Sequence, residues 1–175
     1  MSAPEFSRPV RVDSLGATAR KLRIEADESE RAGLARRFGL AALARLEAQL
    51  DIRREGSEVT ISGAIAAVAV QTCVATGEPV TARIEAPFAI AFRPQPDAAG
   101  AEEGIELSDS ELDVVFYDAA SIDVGEAVAE TLALNLDPYP RAPGAAEALK
   151  AAGVKREEEA GPFGAFAGLR DKLKP

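Results

Sequence analysis

The side chains that could do chemistry in this chain are few. Cys73, in the stretch QTCVATGEPV, is the only cysteine among 175 residues, and the sequence contains no histidine. A thiol attacks or binds metal as its thiolate, which a neighbouring imidazole commonly generates. With no imidazole available, the usual Ser and Cys triads are excluded. A structural zinc takes about four Cys or His ligands, and one thiol cannot supply them. Carboxylates are abundant: Glu126 and Glu130 stand one helical turn apart, which suits either a divalent metal and acid–base work or a solvated helix face. Phosphate-cradling patterns of the GxxxxGK[ST] or GxGxxG type are absent, and Gly161, Gly164 and Gly168 fit neither. The expectation is a non-enzymatic protein without cofactor or metal, with Cys73 in a connection between strands.

A second group is cationic. Arg8, Arg11, Arg20, Lys21, Arg36, Arg37, Arg53 and Arg54 would form one surface if the first strands and helix pack side by side. Only Phe6 and Phe38 stand near them, so stacking of single-stranded bases is not indicated. Recognition of a folded RNA through its backbone and shape fits better.

Net charge qualifies this. The chain carries −9 overall, which argues against indiscriminate nucleic-acid binding, since that depends on cations displacing counterions from phosphates. The charge is unevenly spread, however. Residues 1–54 hold eleven Lys/Arg against eight Asp/Glu, residues 55–138 two against sixteen, and residues 139–175 seven against five. The acidic middle, −14, reads either as a solubilising face or as a surface for a basic partner.

The elements that must position these groups are partly legible. Phe6–Val12 and Leu22–Ala26 read as short strands, the second alternating apolar and charged residues. Asp27 is a suitable N-cap with Glu30 in capping-box position, and Gly39 offers the helix a stop. Leu40, Leu43, Leu46 and Leu50 suit a helix, whereas Leu46, Ala48, Leu50 and Ile52 suit a strand; the turn REGSE and the strand after it favour a strand in the second half. Glu58–Thr72 keeps one apolar parity, with Gly63 a possible bulge. Val80–Phe92 gives the cleanest alternation, so Cys73–Pro79 becomes a hairpin-like connection with Gly77 free to take positive φ. Residues 93–104 read as a mobile polar loop and Leu112–Tyr117 as a strand. Asp123 caps a second helix with Val124, Val128 and Leu132 on one stripe, ended by Pro138. Residues 141–175 read as an extended linker followed by a short amphipathic helix carrying Phe163, Phe166, Leu169 and Leu173, which either docks on its own core or binds a partner. These elements predict a single α+β domain over 1–140, with a mainly antiparallel sheet of about five to six strands and two helices. No stretch approaches the roughly 20 apolar residues of a membrane span, and the N-terminus lacks a signal-like apolar core; a cytoplasmic protein is expected.

Two stretches carry a family resemblance. CVATGEPV at Cys73–Val80, followed by DVGEAVAETLALNLDPYPRAPGA at Asp123–Ala145, resembles the YceD family, the large ribosomal RNA subunit accumulation proteins of bacteria and plastids. The terminal PFGAFAGLRDKL is similar to the tail of alphaproteobacterial members. The resemblance implies a non-catalytic role in accumulation of the 23S ribosomal RNA and in large-subunit biogenesis. Its partner would be that RNA or a precursor, with a basic ribosomal protein bound by an acidic adaptor as the alternative. By motif it carries over Cys73, Thr76, Glu78, Pro79, Asp123, Glu126, Glu130, Asp137, Pro138, Tyr139, Pro140 and Arg141. Many relatives have a second cysteine soon after the first, and some a further cysteine group near the C-terminus. Here Val74, Ala75 and Thr76 follow Cys73, so a metal-dependent version of the role is not expected.

Overall fold

Helix α1, Glu28–Arg37, shows how the local sequence fixes an element. The Asp27 side chain accepts the Glu30 N–H at 2.9 Å, and the Glu30 carboxylate accepts the Asp27 N–H at 2.8 Å, satisfying two otherwise orphaned donors. At the other end Gly39 takes φ +64. Its N–H meets the Arg36 carbonyl while the Leu40 N–H meets that of Ala35, the paired closure of a Schellman motif. The computed structural model describes residues 4–95, 113–117 and 120–154. The reading of a mobile loop beyond residue 95 and of a helix carrying Phe163–Leu173 falls outside them.

Two units compose the chain, one from Met1–Gln71 and Thr81–Pro138, the other from Thr72–Val80 and Tyr139–Pro175. In the first unit, strands β1 (Pro9–Arg11) and β7 (Ser121–Asp123) form an antiparallel ribbon. A five-stranded sheet runs in the order β2 (Arg20–Glu25), β3 (Ala42–Glu55), β4 (Glu58–Thr72), β5 (Pro79–Pro94) and β6 (Asp113–Tyr117). β2, β3 and β4 pair antiparallel, whereas β6 lies parallel to β5. The α+β class and the mainly antiparallel sheet are thus as the sequence predicts.

Several boundaries differ. The first strand is only three residues long because Val12–Ser14 turn into a 3-10 helix. Strand β3 occupies the ambiguous stretch from Ala42 onward, leaving only Leu40 and Ala41 outside it. Leu43 pairs with Ala69 and Arg45 with Val68, so Ala44 is an extra residue, and this bulge reverses the parity of the chain. Leu43 and Leu46 therefore both face the core, mimicking the spacing of a helix. Gly63, by contrast, is in regular register opposite Leu50. A Cβ there would stand 2.1 Å from the Gln49 carbonyl oxygen, so the glycine permits close approach instead of a bulge. Arg93 and Pro94 belong to β5. Helix α2, Val124–Leu134, ends at the Asn135 cap before Pro138 is reached. Part of the stretch read as linker is helical: α3, Ala145–Ala151, where four alanines and one leucine in seven residues favour that state.

One face of the sheet carries Ile24, Leu46, Leu50, Ile52, Ile61, Ile65 and Ile90, all buried with Leu34 of α1 and Val124, Val128 and Leu132 of α2. Phe6 is wholly buried in the same core.

Candidate functional site

Long-range pairing decides which cations are available. Arg8 donates twice to the Glu30 carboxylate, at 2.6 and 2.9 Å, and also to the Ser7 and Glu25 carbonyls, while its guanidinium lies 4.6 Å from the Phe6 ring centre. Arg37 is held bidentately by Glu126 at 2.6 and 3.0 Å and reaches Glu5 at 3.3 Å. Arg11 pairs with Asp13, and Arg54 donates to the carbonyls of Val12 and Gly56. Arg8, Arg37 and Arg54 are thereby tied into the fold, whereas the Arg11–Asp13 pair is local and exposed, with the Arg11 side chain 72% accessible. Arg36 is exposed on α1, on the side that faces the start of β3, and Arg20 is exposed opposite Ile52.

Lys21 and Arg53 come together on the sheet face turned away from the core. Alternation places Lys21, Arg23, Gln49 and Arg53 on that side, all exposed, with Ile24, Leu50 and Ile52 on the other. Two shallow depressions share Asp51. One of about 330 Å³ is lined by Lys21, Arg23 and Gln49, and the other, of about 390 Å³, by Arg53, Thr60 and Ser62. Arg23 was not among the predicted cations, although its position two residues from Lys21 on one strand signals the shared face. The strip is not uniformly basic. Lys21 stands opposite Asp51, Glu47 accepts from Arg45 and from Arg23 at 3.2 Å, and Arg53 is 3.3 Å from Glu55. Cations, an amide and hydroxyls in this mixture can meet phosphate and sugar oxygens at specific places, but not through a strong general field.

Cys73 belongs to the second unit. Its buried Sγ accepts the Ala142 N–H at 3.2 Å and the Thr76 N–H at 3.4 Å. The Ala142 donor, chiefly, and then Thr76 lower the thiol pKa to about 7 by favouring the thiolate. The Val74 N–H meets the Pro140 carbonyl, and Gly77, at φ +75, closes the turn back to Cys73. Cys73 packs with Ala142 and Ala145. The side chain is therefore packed and hydrogen-bonded within a turn, and the stretches at 73–80 and 139–145 meet through it.

The carboxylates do not converge. Glu126 is engaged by Arg37, whereas Glu130 is exposed. Asp123 accepts from Ser7, Arg8 and Glu126, tying the N-terminal segment to the start of α2. Among the described residues no group of three or more Cys, Asp or Glu could hold a metal ion, and no helix is long and apolar enough to cross a membrane.

A family model described as "Large ribosomal RNA subunit accumulation protein YceD" matches residues 61–171, more than half of the chain. The chain belongs to the YceD family. No curated protein and no solved structure matches it. The YceD match contains every residue carried over by motif, from Cys73 to Arg141, and none of the eight predicted cations, which all precede residue 61. Within the YceD motif, Pro140 is buried while Tyr139 is 70% exposed. Asp137 offers its carbonyl to the Gln71 amide at 2.8 Å. Thr76, whose N–H reaches Sγ, bonds Glu78 through its hydroxyl at 3.1 Å.

Proposed function

We propose that this YceD family member is a non-catalytic cytoplasmic factor that supports accumulation of the 23S ribosomal RNA in a bacterium by binding that RNA or its precursor. Membership of the family carries the reading. The exposed sheet face with Lys21, Arg23 and Arg53, interleaved with Gln49, Thr60 and Ser62, supplies donors suited to an RNA backbone. Because acidic groups share the face, RNA is selected through shape and local contacts more than through net charge.

Ultraviolet crosslinking of the tagged protein in growing cells, followed by sequencing of bound RNA, tests it. Enrichment of a discrete large-subunit segment supports the proposal, and a uniform background across cellular RNA contradicts it. The −14 charge of residues 55–138 favours a second reading, an acidic adaptor for a basic ribosomal protein. Recovery of such a protein after nuclease treatment, with no enriched RNA, would select it.

A further inference from the structure

Strand β3 is longer than its neighbour. The β2 register ends with Glu25 opposite Glu47, and the last backbone contact is the Ala26 N–H on the Leu46 carbonyl at 3.0 Å. Ala42–Arg45 continue beyond that point, with β4 on one side and, among the described residues, no strand on the other. On that open side a groove of about 450 Å³ runs between α1 and the start of β3, lined by Arg31, Ala32, Arg36, Leu40, Ala42 and Ala44 among others.

We propose that this groove receives an extended acidic peptide that adds as a strand to the open edge of β3. Three observations converge. An unpaired strand edge is a template for another extended backbone. The walls at Ala32, Ala42 and Ala44 are exposed methyl groups, which let a backbone approach and leave room only for small inward side chains. The cations set the sign of the partner, two against the single carboxylate of Glu28 in the lining: the Arg36 side chain is exposed and makes no hydrogen bond or ion pair among the described residues, and Arg31 is steadied by the Ala26 carbonyl at 2.6 Å. No aromatic side chain lines the groove, so it lacks the platform that unpaired bases require. The site is separate from the Lys21–Arg53 face, and its failure would leave the RNA proposal standing.

The test uses the full chain, isotope-labelled for amide NMR, and a short acetylated peptide alternating glutamate with alanine and valine. The expected result is saturable shifts and slowed hydrogen exchange at amides within Ala42–Arg45. The same peptide with lysine for glutamate should bind at least about tenfold more weakly, and Arg36→Glu should weaken the acidic peptide by a similar factor. Ala32→Glu, on an exposed position, should also reduce binding while preserving the spectrum of the fold. The proposal is overturned if the Ala42–Arg45 amides do not respond, if both peptides bind equally, or if Arg36→Glu has no effect. Tighter occupation of the same amides by a short polyuridine RNA would overturn it in favour of nucleic acid.

Discussion

The Sγ of Cys73 accepts the backbone N–H of Ala142, 69 residues away in sequence, at 3.2 Å. One sulfur thereby joins the two stretches that carry the family resemblance, and it does so as a hydrogen-bond acceptor. Because the folded thiol titrates near 7 and an unfolded one near about 8.5, the ionised form favours the fold. That contribution is complete above the unfolded value and lost as pH falls through about 7, so stability should rise with pH across this window. A Cβ carbon-13 titration of Cys73 should show a midpoint near 7, and Ala142→Pro, which removes the principal donor, should move it upward. An unshifted midpoint in the native protein would refute the acceptor role.

Gly63→Ala and Gly125→Ala should both destabilise. In the first, the new methyl meets the Gln49 carbonyl oxygen at 2.1 Å; in the second, it meets that of Phe6 at 2.4 Å. Alanine gains about 1 kcal/mol of helix propensity at position 125, but displacing the Phe6–Arg8 backbone costs about 1–3 kcal/mol or more. Urea denaturation should therefore show a net loss at both positions, larger at Gly63.

Glu30 serves the helix cap and Arg8 together, and the Arg8 guanidinium, more than any other group, holds its pKa below the usual value. A depressed carboxylate stabilises above its unfolded pKa, and that stabilisation is lost as pH falls through the folded value. Glu30→Gln should cost about 1–3 kcal/mol at pH 7, with the difference from wild type shrinking at about pH 3. Denaturation curves at the two pH values check both parts.

Arg37 and Glu126 join α1 to α2 across 89 positions of sequence. Both are partly exposed, 34% and 24% at the side chain, so solvent reduces the pair below a buried one. A double-mutant cycle with Arg37→Ala and Glu126→Ala should return a coupling of about 1 kcal/mol, and raised salt should diminish it.

Legibility followed the range of the determining interaction. Asp27, Glu30 and Gly39 act within a few residues, and the sequence reveals the helix they bound. Val80–Phe92 alternates along its sequence, and its burial follows that alternation from Val80 to Phe88. In β3 the residues are just as apolar, but Ala44 adds one position to the strand and makes its leucines look helical. The parallel pairing of β5 with β6 leaves no local mark. The cations were least legible: Arg8 finds Glu30 and Arg37 finds Glu126 only after the chain has folded, so a charge count does not reveal which cations already have carboxylate partners. Arg23, on the same strand face as Lys21, was the residue that alternation could have supplied.

The most direct measurement is the affinity of the purified protein for large-subunit RNA fragments across a salt series, with wild type and the Lys21→Glu, Arg23→Glu, Arg53→Glu variant in parallel. If this face binds the RNA backbone, the variant should lose at least about tenfold in affinity, and its slope of log affinity against log salt should fall by about one for each phosphate contact removed. Equal affinity and equal slope for the two proteins would contradict the account.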